Sequence, residues 1–144
     1  MKKLGILLLF ALLFISCEKD NGVIPEDLKK EVTKELKGKV FTAYEAQVYK
    51  EGSGNTEVDP QKAFFTKMEI VGEVIELTSA NNMKSRYGFD INNANRNSEE
   101  LPEVLSLAMK SSYKNFYIYL SKDYSNAVVT LTHGSSSYGI SMKP

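Results

Sequence analysis

The chain has 144 residues, with 18 basic and 18 acidic side chains, one histidine and one cysteine, which suits one domain held by its apolar core. Balanced charge removes the electrostatic drive toward nucleic acid or an anionic membrane surface. One cysteine precludes an internal disulfide, and one histidine leaves no Cys/His zinc set and a His-dependent triad only through His133. Eight Tyr and seven Phe without Trp is an aromatic profile suited to strands.

In chain order, Lys2 and Lys3 precede a run of twelve residues, Leu4–Ile15, that is apolar except for Gly5, and polar Glu18-Lys19-Asp20 follows Ser16 and Cys17. A basic start, a short apolar stretch and a small residue make a secretory signal peptide; the run is too short to cross a bilayer, which takes about 20 residues. Leu13-Phe14-Ile15-Ser16-Cys17 resembles a bacterial lipobox, with Phe14 bulkier than the pattern prefers. The resemblance covers residues 1–20. It implies cleavage after Ser16 and attachment of diacylglycerol to the Cys17 thiol, with acylation of the new amino group. The lone cysteine of an exported chain thereby acquires a role, and more than one lipid chain gives a stable membrane anchor. Glu18-Lys19-Asp20 is similar to the short export tract of Bacteroidetes lipoproteins, so the expected location is the outer membrane, on either face. Removing residues 1–16 leaves 128 residues with 16 basic and 18 acidic side chains, a net charge of −2.

Residues 17–25 read as lipidated terminus and tether, and residues 26–144 as a single α+β domain. Pro25, Glu26 and Asp27 suit a first helical turn. Leu28, Val32 and Leu36 make one apolar stripe, and Gly38 ends the helix Glu26–Lys37. The period then becomes two. Val40–Lys50 reads as a strand with Val40, Thr42, Tyr44, Ala46 and Val48 on one face, and 51–56 as a flexible loop. Phe64–Val71 and Val74–Thr78 form a hairpin about Gly72-Glu73, the type II′ choice. Ser85–Ile91 is a fourth strand. After an Asn-rich loop at 92–97, Leu101, Val104, Leu105, Ala108 and Met109 lie at helical spacing and predict a second helix. Strands at 116–121, 127–133 and 138–142 complete the order α-ββββ-α-βββ. The expectation is an antiparallel sheet or partly closed barrel of about seven strands with two helices.

No cofactor or metal is expected. His133 sits beside Gly134 and Ser135–Ser137, ordinary turn composition. Asp90, Asn92, Asn93 and Asn95 lack the carboxylate count of a calcium loop. Glu69, Glu73 and Glu76 read as a solvated sheet face rather than a glycosidase pair, and no phosphate-binding glycine loop occurs. Tyr117 and Tyr119 are the candidate binding residues. They point opposite to Phe116, Ile118 and Leu120, so they share the outer face unless a helix covers it. Exposed aromatic pairs stack on sugars or anchor protein partners.

The expected function is a membrane-tethered, non-enzymatic binding module. Its partners are the membrane, through the anchor at Cys17, and an envelope protein or glycan, with no nucleic acid. The loops Gly52–Asp59 and Asn92–Ser98 are further candidate contacts. Leu36-Lys37-Gly38-Lys39-Val40 resembles the opening of lipocalins without their tryptophan, which implies a carrier of a small apolar ligand as one alternative. An inhibitor of an envelope hydrolase, presenting Lys84-Ser85-Arg86-Tyr87, is the other.

Overall fold

The computed structural model describes residues 25–92, 104–113 and 115–144; Cys17, the signal peptide and most of the Asn-rich loop lie outside them. Helix α1 (Pro25–Leu36) leads into strands β1 (Val40–Lys50), β2 (Gly54–Val58), β3 (Lys67–Val71), β4 (Val74–Thr78), β5 (Lys84–Tyr87), β6 (Phe89–Asn92), β7 (Val104–Met109), β8 (Tyr117–Ser121), β9 (Ala127–His133) and β10 (Ser136–Lys143), with a 3-10 turn at Pro60–Lys62. All ladders are antiparallel, in the order β5-β4-β3-β1-β10-β9-β8-β7-β6, with β2 paired to β1.

The two ends of that order are consecutive in sequence. β5 pairs with β4, and β6 pairs with β7. Between them lies only Gly88, whose carbonyl accepts a bond from the Lys110 amide at 2.8 Å. One stretch of chain thus serves both nominal edges, and the sheet curls into a nearly closed barrel. Closure hides the unpaired edge groups that an open sheet would expose.

The interior is filled by side chains. Phe41, Met68, Ile75, Leu77, Phe89, Leu107, Ile118, Leu120, Val129, Leu131, Ile140 and Met142 are all buried. Helix α1 closes one end. Its stripe of Leu28, Val32 and Leu36 is buried, Lys37 bridges to Ile70 of β3, and Lys29 Nζ donates to the Phe89 carbonyl at 2.8 Å. The β8–β9 turn meets the helix at the same end, where burial, with Glu31 and Glu35 nearby, pushes the Tyr124 phenol up. The other end is closed by rings. Phe65 stacks on Phe116 at 5.9 Å, and Tyr87, Tyr113, Phe64 and Tyr138 pack edge-on or tilted around them.

Four expectations are corrected. The second helix is overturned over 104–109, where the chain is β7; its residues 98–103 lie outside the described part. Leu105, Leu107 and Met109 also alternate, and neighbours on both sides complete the ladder. Ten strands replace seven, because β7 is added, β2 forms on the half of β1 that β3 leaves open, and the fourth strand divides at Gly88. β1 does not keep one face throughout. A bulge between Ala43 and Glu45 inverts the alternation, so Phe41 and Ala43 point inward before it and Ala46 after it. Val40 and Tyr44 are therefore each 45% exposed. Finally, Glu76 is not solvated: it is 2% exposed, held by Lys84 Nζ at 2.7 Å and Arg86 Nε at 2.9 Å. Hydrogen bonds from Lys84 and then Arg86 pull its carboxyl below the ordinary value.

The β8–β9 turn carries a pH-dependent element. Asp123 Oδ1 accepts from Ser121 Oγ at 2.7 Å, Ser125 Oγ at 2.8 Å and the Ser125 amide at 3.1 Å. Those bonds pull its carboxyl from 3.8 down to about 2. A folded value below the unfolded one adds stability above the unfolded value, and that stability is lost as pH falls toward the folded one. Asp123→Asn should therefore lower the melting temperature at neutral pH and remove part of its decline between about pH 4 and pH 2. Thermal melts across that range, compared with the wild type, check this; parallel curves would refute it.

Candidate functional site

The outer wall of β8, β9, β10 and β1 carries a groove of about 470 Å³. Period-two alternation sends Ile118 and Leu120 inward and Tyr117 and Tyr119 outward. Their rings lie 6.3 Å apart at 36° and form one wall. Thr130 and Thr132 of β9 and Ser137 and Gly139 of β10 form the floor. Gln47 and Tyr49 of β1, with Asn55 of β2, form the opposite wall, and Asn115 closes one corner. Tyr49 is 49% exposed. Helix α1 packs on β6 and β3, away from this wall, so the expected tyrosine pair is displayed on the surface.

Gly139 shapes the floor. It pairs in regular register with Thr130 on one side and Gln47 on the other. Its backbone is not in the left-handed region, and a Cβ added there would meet nothing within 4 Å. Glycine inside a strand weakens it by roughly 0.5–1 kcal/mol relative to alanine. A bulge, a bend or a close approach usually explains such a residue. Register and torsion remove the first two at Gly139, leaving open space directly over the backbone.

At the centre of the groove β10 is paired on both sides, with β9 and β1, and β1 with β10 and β2, while the ladder of β8 with β9 runs as far as Thr130. A ligand over Gly139 meets the face and its side chains, not a strand edge. Among the described residues the lining side chains are aromatic, hydroxyl, amide or aliphatic, with no formal charge.

The other expected positions are not drawn into this groove. His133 is exposed and leans on Tyr113 and Phe64, with ring centroids at 5.3 and 6.0 Å. Asp90 pairs with Lys110 at 3.4 Å, and among the described residues no group of three or more His, Cys, Asp or Glu is placed to hold a metal. Glu69, Glu76, Lys84 and Arg86 form an ion cluster across β3, β4 and β5. Of the expected loops, the segment from Gly52 to Asp59 contributes Asn55 through β2; the loop Asn92–Ser98 lies almost wholly outside the described residues.

Sequence reasoning missed Tyr49, Gly139 and the hydroxyl floor. One signal was available: Ser137, Gly139 and Ser141 alternate with Tyr138, Ile140 and Met142. That places a glycine in mid-strand on the outer face, where no turn requires it.

No family model matches the chain, and no similar curated protein or solved structure was found.

Proposed function

We propose that the chain is an outer-membrane lipoprotein, anchored through Cys17, whose barrel is a non-enzymatic binding module with the groove of Tyr49, Tyr117 and Tyr119 as its contact face. The observation that carries the binding role is the pair of outward tyrosines beside a floor left open at Gly139. Tyrosine supplies large contact area with few torsions to freeze and a hydroxyl to pair. The anchor rests on the sequence of residues 1–20 alone.

The two alternatives draw less support. A carrier of an apolar ligand needs interior space, and the interior is occupied by the packed side chains named above. An inhibitor inserting Lys84 or Arg86 into an enzyme would have to detach those cations from Glu76.

Replacing Tyr117 and Tyr119 together by alanine should abolish pull-down of envelope partners or glycans by the full chain in detergent, while circular dichroism and melting stay close to wild type. Both rings are half-buried on the outer wall and outside the core, so the fold does not depend on them. Undiminished pull-down would remove this face as the contact site.

A further inference from the structure

We infer that the groove binds a neutral oligosaccharide laid across the sheet face, with one sugar ring seated over Gly139 and its neighbour against Tyr117 and Tyr119; this rests on the binding role proposed above.

Three observations select that ligand class. The first is charge. A polyanion such as nucleic acid or an acidic polysaccharide needs cations to replace its counterions. Among the described residues, the lining of this groove presents none. The second is the kind of polar group. Gln47 and Asn55 on one wall, Thr130, Thr132 and Ser137 on the floor, and Asn115 at the corner offer both donors and acceptors, all neutral. Those suit a ligand rich in hydroxyls that each donate and accept, as a sugar chain is. An apolar helix face would instead cover the Asn55 and Asn115 amides without pairing them. The third is the backbone. A peptide that adds a strand needs a free edge, and β10, which carries Gly139, is paired on both sides, to Gln47 of β1 and Thr130 of β9.

Gly139 supplies the close approach. The empty volume where its Cβ would stand lets the flat face of a pyranose descend to the main chain between Tyr49 and the Tyr117/Tyr119 wall. The tilted tyrosines then take up the apolar C–H faces of the adjoining unit, the contact that aromatic side chains make with sugars. The fold itself has no use for a glycine at this position, since its torsion is ordinary and its register regular. A bound ring explains it.

The test is affinity electrophoresis and calorimetry of the full chain in detergent against neutral polysaccharides (glucan, mannan, xylan and chitin oligomers), with alginate as the charged counterpart. The expected result is binding to at least one neutral polymer and none to alginate. Gly139→Phe should weaken that binding at least about tenfold with the melting curve retained, because the new side chain enters empty space. Tyr119→Ala should weaken it about tenfold, in keeping with loss of one stacking partner. If Gly139→Phe fails to fold, Tyr119→Ala and Tyr49→Ala carry the same comparison. Retention by none of the neutral polymers overturns the inference, as does retention indifferent to Gly139 and both tyrosines. Failure with every polymer, joined to a Tyr117/Tyr119-dependent pull-down of an envelope protein, overturns the sugar but keeps the contact face. Failure of both removes the face as well.

Discussion

Phe89→Ala should cost the barrel about 3–5 kcal/mol, the usual toll for emptying a buried phenylalanine site, and lower its melting temperature by on the order of 10–20 °C. Phe89 is fully buried and is the first residue of β6. It pairs with Met109 of β7 and follows Gly88, so it stands where the two ends of the sheet meet. Lys29 of the helix reaches over it, its ammonium 4.6 Å from the ring centroid and bonded to the Phe89 carbonyl. Truncation therefore opens a cavity at the seam and loosens the helix that closes that end. Lys29→Met keeps the ring and removes only the cation, and should cost about 1 kcal/mol. Denaturant melts of both variants measure the difference. A Phe89→Ala midpoint equal to that of Lys29→Met would mean that the seam is not where the sheet is held shut.

Cys17→Ser should abolish incorporation of radiolabelled fatty acid and release the chain from the membrane fraction. The effect is all-or-none because oxygen cannot replace sulfur in the thioether and the chain has no second cysteine. Basic and acidic residues are balanced in the chain, so the acyl chains are its proposed hold on the bilayer. Labelling of both forms, or of neither, would defeat the proposed anchor. The seam and the anchor are tested independently, since one is read from melting and the other from fractionation.

The parts of the fold legible in the sequence are those where one local signal acts alone. Val40–Lys50, Val74–Thr78 and Ala127–His133 were bounded correctly because β-branched and aromatic residues fill them and turn residues flank them. Gly72, with φ of 64°, makes the expected two-residue turn between β3 and β4. The helix emerged because Leu28, Val32 and Leu36 fit no strand period.

What stayed hidden depends on partners distant in sequence. Val104–Met109 satisfies a helical stripe through Leu105, Ala108 and Met109, and a strand through Leu105, Leu107 and Met109; only β6 and β8 decide between them. β2 has one apolar residue, Val58, and forms because β1 has a free edge there. The bulge at Tyr44 leaves no signature in composition. Half of the candidate site was readable: alternation around Ile118 and Leu120 put Tyr117 and Tyr119 on one face. The rest of the groove comes from β1, β2, β9 and β10, and needs the ladder order before its walls can face each other.

The pairing of β1 with β10 sets Thr42 opposite Lys143, so the first strand after the helix starts at the pole where the last strand ends. Tyr49 lies seven residues further along the same strand, about 23 Å away at the usual rise per residue. The Tyr49 side of the groove thus stands about 23 Å from Lys143, so a label fused after Pro144 would leave it uncovered.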